Sequence, residues 1–134
     1  MEEIRELVED YKSNKEKFER LQEKLIKLLD YNTKITASYE FNPGGSGFSS
    51  KVERHALKIQ ETTEQLMEVG NKLATVDNAQ KILNNKENEV IDLIKQGYRN
   101  KLTKMAKILG VDRKYIFDVR NRAFKKMSEY IMNK

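Results

Sequence analysis

The stretch ILGVDRKYIFDVRNRAFKKM, Ile108 to Met127, sets a glycine between two helix-forming runs and crowds Arg113, Lys114, Arg120, Arg122, Lys125 and Lys126 into the second. A helix so charged suits a polyanion: arginine and asparagine can bond base edges bidentately, and lysine neutralises phosphate. With Ile116, Val119, Ala123 and Met127 facing inward, Arg113, Lys114, Phe117, Asp118, Asn121 and Lys125 fall on the opposite side. Tyr115 and Phe117 are placed to touch a thymine methyl or to support the backbone. The candidate DNA-contacting set is Lys101, Lys104, Arg113, Lys114, Tyr115, Phe117, Asp118, Arg120, Asn121, Arg122 and Lys125. The plainer reading of the same residues is an antiparallel helix pair with a solvated basic face.

The spacing ahead of that helix is what positions it. Ala106, Gly110, Val111 and Ile116 stand at offsets of zero, four, five and ten. In a helix-turn-helix a small residue lets the second helix approach, a glycine takes the left-handed turn, and branched residues close a small core. Asp112 is expected to be the N-cap of a helix starting at Arg113, accepting its free amides. Residues 95–134 hold twelve Lys and Arg against Asp112, Asp118 and Glu129, a net +9 in a chain of net +5, so the remainder carries −4. A polyanion is drawn to this end.

Other chemistries find little support. No cysteine is present, so disulfides, thiolate metal sites and a cysteine nucleophile are excluded, as suits a reducing cytoplasm. His55 is the only histidine and has no second histidine or cysteine to help it; a surface or partly packed role is expected. No phosphate-loop, nucleophile-elbow or metal signature occurs, and NPGGSGF reads as a hinge because no strand precedes it. The glutamates read as solvated charge on outer helix faces. The chain is therefore expected to be no enzyme and to need no cofactor. Nor is there an apolar run near the roughly 20 residues that span a bilayer, so no membrane partner is expected.

The remaining elements are expected to be all-α. Ile4, Leu7, Tyr11, Phe18, Leu21, Leu25 and Leu28 fall on alternating steps of three and four, with Asn14 in the one polar slot: a heptad seam on a helix over residues 2–30. Tyr31 to Ser50 loses this period and includes NPGGSG, and Ser50-Lys51-Val52-Glu53 matches a capping box that would open a second helix. Its seam is expected through Val52, Ala56, Ile59, Thr63, Leu66, Gly70 and Leu73. Two such helices fold back as a long, coiled-coil-like hairpin over residues 1–75, too small to be firmly stable alone, so that oligomerisation or partner binding completes its burial. Residues 76–134 form the DNA-binding unit: a short helix from Asp77, an NNKEN junction at Asn84 to Asn88, a longer helix through Tyr98, and helices near 101–109 and 113–131.

The run LTKMAKILGVDRKYIFDVRNRAFKKM resembles the helix-turn-helix of sigma factor region 4, in which a leucine-glycine pair precedes a capped helix closing on a basic-alanine-bulky-basic-basic-apolar string, here Arg122 to Met127. It is still more similar to small phage regulators of the RinA and ArpU type, which also share the long N-terminal helix, the glycine-rich segment before a Val-Glu helix (GGSGFSSKVE) and an aromatic-arginine neighbourhood (Tyr98-Arg99). The resemblance covers about residues 86–132 and, more weakly, 44–54. It implies a regulator that binds double-stranded DNA upstream of phage late genes and helps recruit RNA polymerase in the cytoplasm of a bacterial host. Val119 and Arg120 depart from the sigma pattern, standing where many sigma factors have a polar and then an apolar residue. Asp118 on the DNA-facing side repels phosphate unless it accepts from a cytosine amine. Two other readings are a packaging component resembling a small terminase subunit, whose DNA-binding part usually comes first rather than last, and a coiled-coil scaffold with no nucleic-acid ligand.

Overall fold

The computed structural model describes the backbone of residues 2–41 and 46–133, and side chains over 2–31 and 51–133. Among these residues there are six α-helices and no strand: α1 Glu2–Glu9, α2 Tyr11–Phe41, α3 Ser46–Gln80, α4 Asn85–Leu93, α5 Leu102–Leu109 and α6 Arg113–Met132, with a π turn over Ile94–Tyr98. The all-α expectation holds. No helix among the described residues is long and apolar enough to cross a membrane.

Two compact units are drawn differently from a division after residue 75: one is Glu16–Gly70, the other Met1–Lys15 together with Asn71–Lys134. The first residues side with the C-terminal ones because Ile4 and Val8 of α1 are buried in the same apolar cluster as α6.

The single helix expected over residues 2–30 is divided at Asp10 into α1 and α2, α2 runs on to Phe41, and α3 begins at Ser46 rather than at Ser50. Nothing between Tyr31 and Phe41 is proline or glycine, so loss of apolar period did not mean loss of helix. Ser50 lies inside α3, and the capping box expected there does not start the helix; Asn42–Gly45, the centre of the expected turn, lies outside the described residues.

In the unit Glu16–Gly70, a Cβ on Gly70 would stand 3.1 Å from the Phe18 ring, and His55 Nε2 donates to the Leu28 carbonyl at 2.6 Å. Partners that ascend α2 descend α3, so these segments run antiparallel. The seam of α2 is as expected, with Leu21 buried and Phe18, Leu25 and Leu28 half-buried. That of α3 is corrected by one residue at alternate positions: His55, Thr62 and Val69 are buried, whereas Ala56 is exposed and Gly70 serves as the flat surface against Phe18. Steps of three then four replace steps of four then three, which buries Val69 in preference to a glycine with no side chain to bury.

In the other unit, α3 continues through the expected boundary to Gln80, so no new helix begins at Asp77. The expected NNKEN junction is the first turn of α4. Asn84 Oδ1 accepts from the Glu87 amide at 2.9 Å, and Glu87 Oε1 accepts from the Asn84 amide at 3.0 Å, a reciprocal capping box. At the far end of the π turn, Gly97 takes φ 107°, a left-handed value that stops the helix before Tyr98 is reached as a regular position.

Glu87 is fully buried and also accepts from Arg122 Nε at 3.0 Å and Lys126 Nζ at 2.9 Å, tying α4 to α6. Burial alone would raise its pKa, but the Asn84 amide and the two cations outweigh that and hold the carboxyl below its ordinary value. A folded pKa below the unfolded one adds stability that is complete above the unfolded carboxylate range and is lost as pH falls through the folded pKa. Glu87→Gln is expected to cost about 2 kcal/mol near neutral pH and to flatten the acid limb. Thermal melts between neutral and acidic pH check this; parallel wild-type and variant curves would refute it.

Candidate nucleic-acid interface

Helix α5 closes on Gly110, which takes φ 68° and ψ 37°; its N–H and that of Val111, the latter at 3.0 Å, both reach the Ala106 carbonyl. This left-handed closure satisfies the end of one helix and reverses the chain into the next. Nothing lies within 4 Å of a Cβ built on Gly110, so the dihedral and not the space calls for glycine. Ala106 and Ile116 are buried and Val111 is half-buried, so the spacing does mark the small core between α5 and α6.

Asp112 takes the extended N-cap conformation (φ −73°, ψ 151°) before Arg113, but its side chain makes no cap hydrogen bond. The expected acceptance of free amides is thereby corrected: the exposed carboxylate acts on the α6 N-terminus only as a nearby negative charge.

Burial along α6 divides its basic residues into two groups. Arg113, Lys114, Phe117, Asp118 and Lys125 are exposed, with Asn121 half-buried among them. At 100° per residue these six positions occupy one side of the helix. Lys101 and Lys104 are exposed at the start of α5, the former with its Nζ 6.0 Å from the Tyr98 ring centroid. Among the described residues Lys104, Arg113, Lys114 and Lys125 enter no ion pair.

Three residues of the expected set sit elsewhere. Arg120 is buried, 8% exposed, because position 120 shares the inward face with Ile116, Val119, Ala123, Phe124 and Met127. Its Nε has no hydrogen-bond partner among the described residues; desolvation and then nearby Arg5 lower its pKa, against Glu9, which raises it. Its guanidinium lies 5.2 Å from the Phe117 ring centroid. Tyr115 is half-buried against the core. Arg122 is committed to Glu87.

Lys107 was not in the expected set, yet it is exposed one turn beyond Lys104 on α5. Its three-residue spacing from Lys104, which places both on one side of a helix, was the available signal. Phe124, absent from the expected inward series, is 2% exposed.

His55 is not a surface residue: it is buried, with its Nε2 hydrogen on the Leu28 carbonyl and its ring 4.8 Å from that of Tyr31. Among the described residues no cluster of three or more histidine and carboxylate side chains is arranged to hold a metal ion. Compared with protein-family models, with curated proteins and with solved structures, the chain matches none.

Proposed function

We propose that this chain is a sequence-specific DNA-binding transcriptional regulator. In this reading α5, Gly110 and α6 are a helix-turn-helix like that of sigma factor region 4, and α6 enters the major groove. The α2–α3 segments form the coiled-coil-like hairpin that joins subunits or contacts RNA polymerase. The resemblance to the RinA and ArpU type adds phage late genes as the setting and the cytoplasm of a bacterial host as the place. No catalysis and no cofactor enter.

The observation that carries the reading is the division of charge on α6. Arg122 and Lys126 are held by a carboxylate, whereas Arg113, Lys114 and Lys125 stand exposed without one among the described residues, around Asn121 and on one side of the helix. Such a side offers bidentate donors for base edges and point charges for phosphates.

Arg113→Ala and Asn121→Ala are each expected to flatten base preference at one or two positions of a selected site, by about 1–3 kcal/mol of discrimination per lost bidentate contact. Selection from random duplexes with wild type and both variants is the measurement. Identical preferences in all three would remove α6 from the role, and a chain that ignores duplex DNA at about 50 mM salt, where electrostatic attraction is strong, would leave the scaffold reading.

A further inference from the structure

One residue ahead of each apolar seam position in the unit Glu16–Gly70 stands a cation on α2: Lys17 before Phe18, Arg20 before Leu21, Lys24 before Leu25 and Lys27 before Leu28. A constant offset in a heptad is a stripe along one side of the helix, and over this unit the stripe on α2 is wholly basic.

The stripe borders an open groove of about 360 Å³, lined by Arg20, Lys24 and Lys27 from α2 and by Lys58 from α3. One carboxylate, Glu23, also lines it. Leu28, the exposed Tyr31 and the buried His55 complete the lining, held by the hydrogen bond and the ring contact described above. None of the four cations enters an ion pair or a side-chain hydrogen bond among the described residues. Elsewhere the chain puts carboxylates against cations where they hold helices together, as at Glu87 and at Asp77, which meets Lys95 at 3.1 Å. Like charges gathered around one groove repel, and here four cations stand with one lining carboxylate, Glu23, which pairs with none of them among the described residues.

We propose that this groove binds the phosphate backbone of a nucleic-acid duplex, as a second contact that is independent of base sequence. The identity of the polyanion rests on the functional reading of α6; the groove itself does not. An extended partner is favoured over a compact anion because Arg20, Lys24 and Lys27 are spread over roughly 10 Å of helix axis. Their steps of about 4.5–6 Å are of the same order as the rise of about 3.4 Å per phosphate along one strand. Three of the four cations that line it are lysines, which act on phosphate as point charges, and no asparagine or glutamine lines it beside them.

The test uses the full chain and a random-sequence duplex of about 30 bp, titrated from about 50 to 200 mM salt. R20Q/K24Q/K27Q is compared with a control of equal charge, K15Q/K81Q/K86Q. If the three cations neutralise three phosphates, the log–log salt slope falls by about 2.7, and affinity at 0.1 M salt falls by roughly 10²-fold or more. The control should change both far less, and base preference should survive in the groove variant. A groove variant indistinguishable from the control, or wild type that binds anionic vesicles but no duplex, overturns the inference. A groove effect that persists while Arg113→Ala and Asn121→Ala change nothing would overturn the reading of α6 and leave the groove standing.

Discussion

Alanine in place of Phe124 is expected to cost about 3–5 kcal/mol, the range for truncating a buried aromatic ring. Phe124 is 2% exposed and belongs to one apolar cluster with Ile4 and Val8 of α1, Val90 and Ile91 of α4, and Met105 of α5. A loss of that size is a large share of the 5–15 kcal/mol typical of a whole domain. It should therefore appear as early unfolding of the unit that contains α6. Phe117, one of the residues on the outward side, is 45% exposed, and its alanine variant should cost no more than about 2 kcal/mol, through the lost contact with the Arg120 guanidinium. Urea unfolding followed by helical circular dichroism compares the two directly. Equal losses at both positions would mean that the faces of α6 have been assigned wrongly.

What the sequence disclosed about this unit was local. Gly110 marks the α5 terminus because only a residue tolerant of positive φ closes that turn easily, and α6 begins at Arg113 as expected. The capping box of α4 was equally visible as Asn84-x-x-Glu87, but reading NNKEN as a junction hid it. Arg120 had its own signal: it stands four residues after Ile116 and three before Ala123, in step with the inward series, and it is buried.

The rest depended on partners distant in the chain. Arg122 and Lys126 looked like their basic neighbours until folding brought Glu87, 35 and 39 residues away, against them. On α3 a heptad read from sequence alone leaves a one-residue ambiguity wherever both candidates are tolerable, as with Ala56 and His55 or Thr63 and Thr62. Packing against α2 decides it, through the Leu28 carbonyl for His55 and the Phe18 ring for Gly70.

The same division of charge predicts the largest effect on binding. Replacing Lys104, Arg113, Lys114 and Lys125 by glutamine removes four exposed cations that have no carboxylate partner in the described structure. If each neutralises one phosphate, the salt slope falls by about 3.6 and affinity for duplex at 0.1 M salt falls by roughly 10³-fold or more. Arg122→Gln with Lys126→Gln removes two cations from the same helix but takes them from Glu87, leaving a buried carboxylate with the Asn84 amide and no cation. That pair should lower the melting temperature and change the salt slope by less than about 1. Formal charge alone predicts a slope change half as large for the double variant as for the quadruple one, so a two-to-one ratio with unaltered stability would show that the carboxylate does not separate structural cations from available ones. Loss of helical signal in the quadruple variant would make the binding comparison one between different folds, and circular dichroism on each sample distinguishes that result from a lost interface.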